Sequence, residues 1–240
     1  MQRGWFLFGF KLRFLEKKDI KEELRKLEKL IIPVINRETF EEASSDIRLV
    51  EKFLPTGGWI HIDVSDGRFS NTKSWGSPQD LKSLETELNI EAHLMVQDLD
   101  EAIDSWIDAG VKRVIIPAQK VLDIDNISEK IHKRGAELMI SYDPNTQIEG
   151  AGGYLDKIDG YQVLSVSPGP SGQDFEEESL SRISFLRGFG EGVKIEVDGG
   201  INLETGRMAL EAGANILASS SYIFKSQNPE DAYKKLDSIL

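Results

Sequence analysis

The stretch Trp59 to Phe69, "WIHIDVSDGRF", alternates apolar residues as a buried strand does and closes on an Asp-Gly turn signal. It also carries His61 and Asp63 where a core-facing strand would carry valine or leucine. With a side-chain period of two, these residues share one face of the strand near its C-terminal end.

Working outward, strand-like runs recur at 31–35, 59–64, 91–96, 113–117, 137–141, 160–166, 194–198 and 215–219, eight in all. Between them lie helical patterns: "TFEEASSDIRLVEKFL", "SPQDLKSLETEL", "LDEAIDSWIDAG", "ISEKIHKRG", "LSRISFLRGFG" and "NLETGRMALEAG", several of them stopped by Gly. Strand-helix alternation at this spacing implies parallel strands joined by right-handed crossovers. Eight units favour a closed TIM (β/α)8 barrel of the α/β class over an open sheet, and 240 residues suit a single such domain. In that fold, chemistry sits at the C-terminal strand ends, so His61 and Asp63 are aimed at the barrel mouth.

We read residues 31–240 as the barrel and 1–30 as an N-terminal extension. "MQRGWFLFGFKLRFL" is broken by Gly9, Lys11 and Arg13, too short a run to span a membrane and without an export cleavage site. Lys17 to Leu30 has Ile20, Leu24, Leu27 and Leu30 at helical spacing, an amphipathic helix suited to packing on the barrel or on a neighbouring subunit in a homo-oligomer. A net charge of -12 excludes nucleic acid and anionic membrane as main partners. The absence of cysteine excludes disulfides and thiolate metal sites and fits a cytoplasmic protein.

His61 and Asp63 end strand two, His93 lies in "EAHLMV" of strand three, and Asp198 in "IEVDGG" ends strand seven. A barrel brings the four together as a candidate site for one divalent cation such as Zn, Fe, Mn or Co. Taken singly, His61 also fits a hydrogen-bonded core histidine, and either aspartate a cap or turn. Taken jointly, four ionisable groups buried at one mouth are costly without a cation. Glu196 shares a face with Asp198 and is a candidate supporting partner. Asp66 reads as a turn former, and His132 as an ordinary surface residue.

"SVSPGPSGQDF", "DGGIN" and "ASSSYIF" follow strands six, seven and eight. Gly- and Ser-rich loops in those places point backbone N–H groups at an anion, so an acidic chain can hold a phosphorylated small molecule without a cluster of basic residues. The candidates are Gly169, Ser171, Gly172, Gly199, Gly200, Ser220 and Ser221.

The motifs "HIDVSDGRF", "HLM", "PGPSGQ" and "EVDGG", in that order over residues 31 to about 224, resemble the ribulose-phosphate 3-epimerase family. The resemblance implies a metal-dependent barrel that inverts C3 of a ketose phosphate, most simply ribulose 5-phosphate/xylulose 5-phosphate. His61, Asp63, His93 and Asp198 match the metal ligands, and Asp63 and Asp198 match the acid/base pair that works through an enediolate. Met95 matches an apolar residue flanking the intermediate, although plain core packing explains it equally. Val34, Ser65, Ser167, Pro170, Ser171 and Ser220 depart from the family pattern around the substrate. Another ketose phosphate, for example allulose 6-phosphate, is therefore an alternative, as is a sugar-phosphate-binding barrel without turnover. Decarboxylases and aldolases on related barrels carry Asp-x-Lys-x-x-Asp at this strand end. Here Val64 follows Asp63, and no lysine precedes Asp66.

Overall fold

The computed structural model describes residues 7–8, 11–12, 28–169 and 172–240. Eight parallel strands, β1 Leu30–Ile35, β2 Trp59–Ser65, β3 Asn89–Met95, β4 Arg113–Pro117, β5 Glu137–Tyr142, β6 Gly160–Leu164, β7 Lys194–Asp198 and β8 Ile216–Ser219, pair in chain order, and β8 closes on β1. The closed barrel expected from the strand-helix alternation is therefore what forms. A two-residue antiparallel pairing, Leu7–Phe8 with Lys11–Leu12, precedes it. The amphipathic helix expected over Lys17 to Leu30 lies outside the described residues as far as residue 27. Leu30 itself begins β1, in register with Ile216, so the barrel starts one residue earlier than the sequence pattern suggests.

Helices α1 Phe40–Val50, α2 Pro78–Ser83, α3 Leu99–Asp108, α4 Ile124–His132, α5 Glu178–Arg187, α6 Leu203–Ala212, α7 Ser221–Phe224 and α8 Pro229–Asp237 follow the strands. Local chemistry sets their ends. Thr39 and Glu42 form a capping box at α1, Asn202 caps α6, and Gly213 ends α6 at φ 116°, a conformation that suits glycine. Helix α2 is shorter than "SPQDLKSLETEL" predicts: Leu84 turns extended, and Leu88 is buried just ahead of β3. Between β5 and β6 the chain forms only a 3-10 turn, Ala151–Tyr154, because "EGAGGY" is poor in helix formers. Among the described residues no helix is long and apolar enough to cross a membrane.

Strand alternation divides the protein into two layers. Ile60, Ile62 and Val64 point outward into one contiguous apolar cluster shared with α3 residues Ile103 and Trp106 and with Ile47 of α1. The opposite residues of the strands face the barrel interior, and many are polar: His61, Glu91, Arg113, Gln162 and Glu196 are all buried. Such a core is tolerated only where these groups satisfy one another.

Candidate active site

Register places the key side chains. Asp63 on β2 pairs with His93 on β3, and Leu164 on β6 and Ala218 on β8 both pair with Asp198 on β7. One ligand atom from each of His61, Asp63, His93 and Asp198 lies within 4.8 Å of the others. His61 Nε2 is 3.2 Å from Asp63 Oδ1, and His93 Nδ1 is 3.6 Å from the same oxygen. Asn36, just past β1, donates to Asp63 Oδ2 at 2.8 Å. Asp63 and Asp198 open onto a cleft of about 530 Å³, open solvent at its mouth included.

Electrostatics separates the two carboxyl groups. Burial works to raise Asp63, but the hydrogen bond with His61 and the close approach of the His61 and His93 imidazoles outweigh it and hold the group well below the usual carboxylate range. Asp198 is pushed up to about 8, first by burial and then by the neighbouring Asp63. Burial opposes charge on His61, yet Asp63, Glu196 and Glu91 raise it well above the ordinary value because both ring nitrogens face carboxylates. His93 is lowered by burial. Neither of its buried ring nitrogens has a hydrogen-bond partner among the described residues. Two imidazoles, one with unused lone-pair capacity, and two carboxylates form a donor set suited to a borderline divalent ion.

Residues proposed for phosphate capture surround the same cleft. Gly169, Gly172, Gly199, Gly200, Ser220 and Ser221 line it, as do Val34 and Met95. Ser171 and Pro170 lie outside the described residues. Gly200 has φ 60°, and a Cβ there would stand 2.6 Å from the Phe175 backbone nitrogen, so the close approach requires glycine. Ser65 is not part of the cleft lining and bonds Ser70 and the Thr72 carbonyl. Asp66 forms the expected turn by accepting from Arg68 and Phe69 N–H, and it also ties down Gln97 N–H. His132 sits on α4, paired with Asp159 outside the barrel.

Sequence reasoning missed several participants. Glu91 accepts from His61 Nδ1 at 2.9 Å, and the period-two pattern that placed His93 inward places Glu91 inward too. Glu196, which the sequence did offer as a supporting partner, lies 3.4 Å from the same nitrogen and accepts from Gln162 at 2.9 Å. Lys225, exposed after α7, brings its Nζ to 2.8 Å from where a Gly172 Cβ would begin. This places a cation beside the Gly-rich cleft lining that no basic cluster announced. Ser141 Oγ, buried and without a partner among the described residues, faces a recess that also contacts His93 and Met95.

A family model described as the Ribulose-phosphate 3 epimerase family matches residues 31–224. A ribulose-phosphate 3-epimerase of Chlamydia muridarum is 34% identical over 177 residues, covering 70% of this chain and 77% of that one. One from Schizosaccharomyces pombe is 31% identical over 183 residues, covering 74% and 80%. Among solved structures, 3-hexulose-6-phosphate synthase from Salmonella typhimurium superposes with a TM-score of 0.63 at 16% identity, over 88% of this chain and 98% of that one, a likeness of fold.

Proposed function

The chain belongs to the ribulose-phosphate 3-epimerase family, isomerases that act on carbohydrates, and on that footing we propose that it inverts C3 of a ketose phosphate, with ribulose 5-phosphate and xylulose 5-phosphate as its substrate pair. The observation that carries this reading is the meeting of His61, Asp63, His93 and Asp198 within 4.8 Å beside a cleft walled by Gly- and Ser-rich loops.

Inversion next to a carbonyl needs a proton removed from one face of C3 and another delivered to the opposite face. Asp63, from β2, and Asp198, from β7, border the same cleft from different strands. Asp63 in its carboxylate form takes the C3 proton, the electron pair moves into the carbonyl to give an enediolate, and Asp198 returns a proton on the other face. The reverse reaction exchanges these roles. His61, Asp63, His93 and Asp198 are the residues that would hold a divalent ion. When bound, that ion supplies Lewis-acid charge stabilisation for the developing oxyanion. Asn36 orients Asp63 through its 2.8 Å hydrogen bond, and Met95 presents an apolar surface that keeps water from the reacting carbon. Gly169, Ser171, Gly172, Gly199, Gly200, Ser220 and Ser221 receive the phosphate. The cytoplasmic setting read from the cysteine-free sequence belongs to this proposal.

A second reading, an epimerase of another ketose phosphate such as allulose 6-phosphate, draws on Val34, whose apolar side chain lines the cleft. One experiment separates the readings. Metal-loaded protein is incubated in deuterated water with each ketose phosphate, and C3 deuterium is followed together with the epimeric product. Xylulose 5-phosphate deuterated at C3 is the expected outcome from ribulose 5-phosphate. Exchange confined to allulose 6-phosphate moves the substrate, and tight binding with no exchange contradicts turnover.

A further inference from the structure

Arg113 opens β4 and turns its side chain into the barrel, where it is 2% exposed. An arginine in that position is costly unless its charge and its donors are matched. Its Nη1 donates to Glu91 Oε2 at 2.5 Å and its Nε to Glu137 Oε2 at 2.8 Å, and the guanidinium lies 4.1 Å from the Trp59 ring centroid. Lys194 Nζ donates to the other Glu137 oxygen at 2.7 Å. Glu91 therefore uses one oxygen for Arg113 and the other, at 2.9 Å, for His61 Nδ1. An unbroken hydrogen-bonded chain runs from Lys194 through Glu137, Arg113 and Glu91 to His61, from partly exposed groups to the buried imidazole.

We infer that Arg113 is a positioning residue for His61: its planar fork locks the Glu91 carboxylate as acceptor for Nδ1–H, so that Nε2 is the nitrogen turned toward Asp63, His93 and Asp198 and the one that gives up its proton when an ion binds. A histidine ligand needs its second nitrogen tied down in this way to fix ring orientation and tautomer. Glu196, 3.4 Å from Nδ1, is the competing acceptor, but Gln162 already occupies one of its oxygens. Arg113 selects Glu91 by pinning it from behind. The guanidinium suits this task better than an ammonium because two of its donors reach two carboxylates from one rigid plane.

This inference rests on the reading that the four residues hold a divalent ion, and the experiment distinguishes the two. Full-length chain carrying 15N-labelled histidine is titrated with Zn2+. The dissociation constant is measured by competition, and the His61 Nδ1–H resonance is read in the Zn-loaded state. Arg113→Met weakens Zn2+ binding by about 10- to 100-fold and shifts or loses that resonance, the range typical for partners that orient metal ligands. Arg113→Lys, which keeps the charge without the fork, falls between wild type and Arg113→Met. Should Arg113→Met alone fail to fold because it strands a buried carboxylate, the double variant Arg113→Met/Glu91→Gln removes that charge and carries the test. It binds Zn2+ as weakly as Glu91→Gln and no weaker, since Arg113 acts through Glu91. Wild-type affinity and an unchanged Nδ1–H resonance in Arg113→Met overturn the inference alone, as does a full further loss when Arg113→Met is added to Glu91→Gln. A wild-type chain that binds no Zn2+ overturns the metal reading and this inference with it.

Discussion

Asp63 on β2 and Asp198 on β7 are held against one cleft with their proton affinities driven apart: Asp63 lies well below the usual carboxylate range, whereas Asp198 is raised to about 8. The imidazoles beside Asp63 cause the first shift, and burial together with the Asp63 charge causes the second. In the metal-free chain one carboxyl is thus ionised and the other protonated at neutral pH, because their surroundings differ.

Replacing either acid should remove proton transfer on one face while leaving the ring of strands intact. Asp198→Asn and Asp63→Asn are each expected to slow C3 exchange by about 10²- to 10⁴-fold, the usual worth of a positioned acid or base. Far-UV circular dichroism should be unchanged. Full exchange in Asp198→Asn would remove that residue from the proton path.

The raised Asp198 makes metal binding pH-dependent. In metal-free protein the folded chain keeps a proton on Asp198 up to about pH 8, whereas the unfolded chain releases it in the ordinary carboxylate range. The group's contribution to folding stability is therefore present at low pH and falls as pH rises between those values. A metal ion must displace that proton and the one on His61 Nε2. Calorimetric titration in buffers of different ionisation enthalpy should show proton release at pH 7, with apparent affinity rising toward pH 8. Metal uptake at pH 7 without proton release would contradict the assignment.

The turn at Gly200 is a packing requirement as well as part of the cleft lining. With φ 60° and a Cβ path blocked at 2.6 Å by the Phe175 backbone nitrogen, Gly200→Ala should cost more than about 1 kcal/mol of stability. It should also raise KM for the phosphorylated substrate more than it lowers kcat. A melting temperature equal to wild type would show that the β7 loop is free to move.

Lys225 is exposed, so its effect on an anion at the Gly172 wall is small and screened by salt. Lys225→Ala is expected to raise KM by up to about fivefold, the equivalent of roughly 1 kcal/mol, with kcat unchanged and the difference fading at high ionic strength. A drop in kcat at constant KM would place Lys225 in another role.

The barrel and its mouth were legible because two periodicities agree there. The apolar outward residues of β2, β3 and β7 mark them as strands, and His61, Asp63, His93 and Asp198 interrupt the inward set of those strands near their C-terminal ends. The interior polar chain was not legible in the same way. In a linear reading, Arg113, Glu137 and Lys194 at the starts of strands look like solvated charges flanking an apolar run. Only closure of the ring turns Arg113 inward against Glu91 and Trp59. Lys225 escaped notice because its place beside Gly172 depends on the short α7 turn, which brings together loops more than fifty residues apart in sequence. Helix α2 was overread because "LETEL" continues the amphipathic spacing, while burial of Leu88 ahead of β3 pulls the chain out of the helix.

On the proposed function, four side chains from three strands hold one divalent ion at the barrel mouth. X-ray absorption on metal-loaded protein, with the metal content counted per chain, tests it directly. One ion per chain with two imidazole nitrogens and two carboxylate groups in its coordination sphere, and loss of that spectrum in His93→Ala, is the predicted result. An ion bound without imidazole, or a spectrum unchanged by His93→Ala, would contradict the account.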